Sequence, residues 1–213
     1  MNQVDVCNLA LSRIGHGASS AIVSLEDASE AARCCKRVFA STMQEVLEEF
    51  NWSWAKGVVA LSLSTETVPG YTYVYAYPAD CLTIRGISAD GYNPTRSPRY
   101  KAPFEVVAAS NGESRLIATD LQNAVAFVTR DIKNPAFATN LFCQALAWRL
   151  AKELALGLKA NPQMAQSAEQ EYLIAVSKAV SANELEQTPD TPEDPEDVQQ
   201  YAGTAMAGWQ LWQ

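Results

Sequence analysis

The sequence predicts an α+β chain, with four helices in an antiparallel four-helix bundle, one small antiparallel β-layer inserted between helices 2 and 3, and an extended C-terminal tail. Three observations carry this reading. Apolar residues recur at helical spacing in four separate stretches, each with a start or stop signal. Between the second and third of these the spacing changes to alternation, broken by Pro-Gly and Asn-Gly turns. From Thr188 onward the chain becomes Pro- and acid-rich, a composition that cannot form a core. The expected body is residues 1–187, with helices at about 3–15, 28–50, 136–157 and 162–184 and the β-layer at about 57–130; the tail is 188–213.

Val4, Cys7, Leu11 and Ile14 define the first helix, and Gly15 and Gly17 follow where a left-handed cap would end it. His16 between them reads as a polar turn residue. Asp27-Ala28-Ser29-Glu30 has the form of a capping box and starts the second helix. Its stripe is Ala31, Cys35, Val38, Phe39, Thr42, Val46 and Phe50, and Glu45, Glu48 and Glu49 fall on the solvated face. Gly57 to Ser64 alternates as the first strand, and Val68-Pro69-Gly70 turns the chain into a second. There Tyr71, Tyr73, Tyr75 and Tyr77 share one face, either packed on the helices or offered to another subunit. Cys81 to Ile87 continues the sheet. Phe104–Ala109 and Glu113–Ala118 flank Ser110-Asn111-Gly112, a strong hairpin signal, and Val125–Thr129 is a further strand. Asn134 and Pro135 open the third helix, apolar around most of its circumference and ended by Gly157. Asn161-Pro162 opens the fourth, antiparallel to it, with a small-residue stripe at Ala165, Ala168, Ala175 and Ala179.

The net charge of −8 is unevenly placed. Residues 184–213 hold seven acids and no base, leaving 17 acids against 16 bases in residues 1–183, and a near-neutral body does not suggest tight phosphate binding. No apolar run approaches the length a membrane helix needs, and the N-terminus lacks the form of a signal peptide, so maturation in a cytoplasm is expected. Five cysteines without Cys-x-x-Cys spacing read as buried reduced thiols, and one histidine leaves no metal site to expect; no cofactor motif appears.

Several blocks in order resemble one family. They are Asn8-Leu9-Ala10-Leu11-Ser12-Arg13-Ile14-Gly15, Trp52-Ser53-Trp54-Ala55, the strand running into Tyr77-Pro78-Ala79-Asp80-Cys81-Leu82, Thr119-Asp120, Asn134-Pro135 with Phe137, and Phe142 to Ala155. Together they resemble the head-to-tail adaptor of short-tailed bacteriophages, the tail tubular protein A family, over residues 1 to about 187. The resemblance implies a structural virion protein of the head-tail junction, made in the host cytoplasm and without enzymatic activity. It implies a homo-oligomeric, dodecameric ring between the portal protein and a tail nozzle of the tail tubular protein B type. Packaged double-stranded DNA would pass through its channel without sequence-specific binding, and no membrane is involved. Two other readings stand beside it: a virion-associated cell-wall hydrolase, which needs an acidic pair in a cleft, and a helical DNA-binding protein, which needs a basic face.

Two stretches stand out as partner interfaces. Residues 85–101 combine prolines with Arg85, Arg96, Arg99 and Lys101 against Asp90, either as a solvated loop or as a contact for an acidic surface or DNA. The C-terminal arm ends an otherwise polar tail with Tyr201, Trp209, Leu211 and Trp212, anchors suited to docking on the portal or a neighbouring adaptor. The linker before the arm is long enough to reach a neighbour.

Overall fold

The structure, a computed structural model, describes residues 1–17, 21–89 and 101–186. Helix α1 (Gln3–Arg13) opens with a reciprocal box in which Asn2 Oδ1 accepts from Asp5 N and Asp5 Oδ2 accepts from Asn2 N, both at 2.9 Å. It closes as the sequence suggests, with Gly15 at φ 77° and the His16 N–H donating back to Leu11 O. Helix α2 (Glu30–Glu49) is capped by Ser29 Oγ on Ala32 N. Asp27 has a different role from the one expected of it, since its carboxylate accepts from Val23 and Ser24 N and closes the preceding turn. A 3-10 turn, Ser53–Ala55, leads into β1 (Lys56–Ala60). Then come β2 (Tyr73–Ala76), β3 (Cys81–Ser88), β4 (Glu105–Ala108), β5 (Arg115–Thr119) and β6 (Val125–Arg130).

Asn134 and Pro135 start a single 3-10 turn, Pro135–Phe137, rather than the third helix. Helix α3 (Asn140–Lys159) begins a few residues later, capped by Thr139 Oγ1 on Phe142 N. The displaced Phe137 is left 86% exposed. Gly157 lies inside α3, where a Cβ would stand 3.4 Å from Arg37 of α2; the helix ends instead at Ala160, in the left-handed region at φ 46°. Helix α4 (Pro162–Leu185) starts at the Asn161 cap.

The expected four-helix bundle with one inserted layer is overturned. The described residues form four helices and two separate three-stranded antiparallel sheets, ordered β1-β6-β3 and β2-β5-β4. The helices surround α3 instead of closing a ring: α1, α2 and α4 each pack on it, while α1 scarcely meets α2. This follows from α3 itself, which buries residues on most of its circumference, among them Phe142, Leu146, Leu150 and Leu154.

The single layer fails for a different reason. The stretch expected as one strand, Gly57 to Ser64, serves both sheets. Lys56–Ala60 pairs with β6; then Ser64 N donates to Val74 O and Ala76 N to Ser62 O, so the same chain runs on along β2. The strand that follows Pro78, β3, joins β6 rather than its sequence neighbour β2. Tyr75 is buried and donates its hydroxyl to Leu121 O at 2.8 Å, and Tyr73 stacks on it. Tyr77 donates to Leu82 O and lies under Arg115. The tyrosine face therefore seals sheet to sheet, with Leu61, Ile84 and Phe104 from across the gap, and is not packed on the helices. The β4–β5 hairpin forms around Gly112 at φ 70° with a wider loop than Asn-Gly alone suggests, closed by Ala109 N on Ser114 O.

The helical core extends through Trp52, which stacks edge-on against Phe142 at 4.9 Å and donates its indole N–H to Val46 O. Trp54 meets the same ring at 4.8 Å, but its buried Nε1 has no acceptor among the described residues. All five cysteines are buried free thiols, and Cys7 of α1 meets Cys35 of α2; that hydrogen bond together with burial pushes the Cys7 thiol up.

Candidate interaction surfaces

Of the four cations singled out in residues 85–101, the described ones are Arg85 and Lys101. Arg85 on β3 is turned inward: its Nε donates to Thr129 Oγ1 at 2.8 Å, and its Nη2 reaches the Glu48 and Phe50 carbonyls at 3.0 and 2.8 Å. Helix α2 has no base in its last turn, so a cation from the sheet supplies the cap that its exposed carbonyls need. Burial, the larger influence, pulls the Arg85 guanidinium below its ordinary value, and Glu48 partly restores it. Arg85 is thus a staple between sheet and helix, not part of a docking loop. Lys101 is exposed beside Ala102, whose N–H bonds Ile87 O at the end of β3. Arg96 and Arg99 lie outside the described residues, as do Tyr201, Trp209, Leu211 and Trp212.

The glutamates of α2 are exposed as expected, and two of them also reach partners on other helices. Glu45 accepts from Arg149 of α3, which also forks onto Glu169 of α4 at 2.7 and 2.8 Å, and Lys152 adds a contact to Glu169 at 3.0 Å. Tyr172 of α4 donates to Glu49. Three helices are therefore tied through one guanidinium whose side chain is 13% exposed.

Two surfaces stand out among the described residues. The first is the outer stripe of α4, where Gln163, Ser167, Gln170, Leu173, Ile174, Ser177 and Ser181 are all exposed and none is charged. Leu173 and Ile174 are 58% and 51% exposed at its centre. The second is a cleft of about 250 Å³ where the edge of the first sheet meets the end of α2. Its described wall holds Lys56, Arg85 and Arg130 together with Asn51, Val58, Phe127 and Val128. Gly57 makes room there, because a Cβ at that position would come 2.5 Å from Arg130 Nε. Burial also lowers the Lys56 ammonium from its ordinary value. The sequence signal for this cleft was weak: its three bases come from three different strands.

No family model matches the chain. No curated protein matches it either. No described helix is long and apolar enough to cross a membrane.

Proposed function

We propose that this chain is a head-to-tail adaptor subunit of a short-tailed phage virion, a structural part without a reaction of its own. Copies assemble side by side into a ring, dodecameric by the family resemblance, seated between portal and tail nozzle and continuing the DNA channel. The observation that carries the reading is the outer stripe of α4. A helix of 24 residues, about 36 Å long, exposes an uncharged row with two adjacent aliphatic residues at its middle. Loss of charge is what marks the centre of a protein interface, since a buried unpaired charge is costly and a Leu or Ile is not. The ordered sequence blocks over residues 1 to about 187 support the family reading, and the stripe offers a surface on which copies can meet.

Native mass spectrometry of the protein alone and with its cognate portal ring is the test. The expected result is a monomer alone and a closed ring on the portal. The double variant Leu173→Asp, Ile174→Lys should keep its melting temperature and lose the ring. Failure of the unmodified chain to bind any portal would overturn the adaptor reading; a ring that survives the double variant would remove α4 from the subunit contact.

A further inference from the structure

Phe137 is 86% exposed, yet the turn that carries it is held in place. Pro135 is buried, its carbonyl accepts from Ala138 N at 2.9 Å, and Asn134 Oδ1 accepts from Ala136 N at 3.1 Å. Just before it, Gln3 of α1 donates through Nε2 to Lys133 O at 2.7 Å. An aromatic ring on a turn pinned in this way loses little freedom when a partner covers it, which is the property of an interface anchor. Leu141, 40% exposed, stands four residues on in the first turn of α3, and the stretch from Asn134 to Leu141 carries no charge.

The stripe on α4 matches this edge in character and differs from it in place. It is uncharged around Leu173 and Ile174, and it faces away from α3, because α4 lays Ala165, Ala168, Tyr172, Val176 and Ala179 inward. Its size is informative. A strip about 36 Å long and about 10 Å wide presents on the order of 360 Å², short of the roughly 800 Å² that each partner gives to a standard interface. Stripe on stripe would therefore hold two copies weakly, and such an isologous contact closes at two. A ring needs a heterologous contact, in which two different patches meet.

We propose, resting on the ring reading above, that neighbouring subunits meet head to tail: the Phe137–Leu141 edge of one copy seats on the α4 stripe of the next, with Phe137 against Leu173 and Ile174. The charge character of the two surfaces agrees. Neither brings an unpaired ion into the contact, and the exposed Gln170 and Ser177 of α4 supply hydrogen-bonding groups beside the two aliphatic side chains. Each copy turns its edge to one neighbour and its stripe to the other, so the contact propagates from subunit to subunit. Phe137 adds on the order of 150 Å² to the stripe, which still leaves the contact small. Two free copies therefore pair weakly. Copies already aligned on a portal ring meet at a high effective concentration, and the same small contact then suffices to close the ring.

The test uses the full chain on its portal ring and mild oxidation of introduced cysteines, the five native thiols being buried. Phe137→Cys and Ile174→Cys placed in one chain should give a ladder of covalent multimers, whereas a mixture of the two single variants should stop at dimers. Phe137→Ser should keep the melting temperature of the subunit and lower the yield of rings at least tenfold at equal subunit concentration; Phe137→Leu, which keeps an apolar anchor, should retain most of it. Cross-linking of Ile174→Cys to itself would overturn the proposal, because it would place stripe against stripe. So would the absence of a ladder from a doubly substituted chain that native mass spectrometry shows in a closed ring, a ladder of equal yield without the portal, or an undiminished yield of rings from Phe137→Ser. An unmodified chain that forms no ring on the portal would instead remove the adaptor reading on which the contact rests.

Discussion

At Arg149 the guanidinium stands in α3, holds Glu45 of α2 and Glu169 of α4, and lies over the Tyr172 ring, so three helices share one charge. Burial disfavours ionised Glu169, yet the hydrogen bond from Lys152 and the charge of Arg149 outweigh it and hold the carboxyl below the ordinary carboxylate value. The sign of the pH effect follows. A carboxyl depressed in the folded state contributes stability that is complete above its unfolded value and is lost as pH falls through the folded one. Glu169→Gln should therefore lower the melting temperature most near neutrality, and the gap to the unmodified protein should close below about pH 4. A gap that stays constant on acidification would mean that Glu169 acts by packing alone. None of this network was legible in the sequence. Helical spacing placed Glu45 and Glu49 on the polar side of α2, but which cation a polar face meets depends on which helix crosses it. Trp52 and Trp54 show the same limit, since of two indoles in one short motif Trp52 has Val46 O to donate to and Trp54 finds no acceptor among the described residues.

The elements were read best where a local bond decides them. Asn161 and the Gly15 turn each act within a few residues, and each stands where the sequence put it, while the cap expected at Asp27 falls two residues on, at Ser29. The Asn2–Asp5 box carried the same kind of signal and went unread. Sheet pairing is the opposite case. Alternation tells which face a strand residue uses and nothing about its partner, so one layer was expected where Gly57 to Ser64 in fact passes from one sheet to the other. Arg85 belongs to this scale, for it is the link by which the first sheet closes the end of α2. Replacing it with Met would keep the stem and leave the Glu48 and Phe50 carbonyls without their donor. A cost of about 1–3 kcal/mol is expected, with faster amide hydrogen exchange confined to the last turn of α2 and the neighbouring end of β6. Lys at this position should recover only part of the loss, because it cannot fork between Thr129 and two carbonyls. Exchange that rises uniformly over the molecule would instead mark Arg85 as a general stabiliser with no special tie to α2.

For the whole molecule, the body and the tail obey different physics. In the body, α4 ends with Asn183 and Glu186 bonded to residues 51–53, which ties its last turn to the chain after α2. The tail concentrates charge in 188–197 and large apolar side chains in 201–213. Under the adaptor reading those side chains are anchors. Burying one Trp or Leu is worth about 2 kcal/mol, so Trp209, Leu211 and Trp212 together could offset the entropy of ordering a short arm on a portal or a neighbouring subunit. Ending the chain after Gln187 separates the two parts. The melting temperature of the isolated subunit should fall by no more than about 2–4 °C, the shift that about 1 kcal/mol makes in a chain this long. Ring formation on the portal, followed by native mass spectrometry at equal subunit concentrations, should weaken strongly. A far larger drop in melting temperature would show that the arm completes the core of its own subunit. Undiminished ring formation would show that the stripe on α4 suffices for assembly and that the aromatic arm anchors nothing.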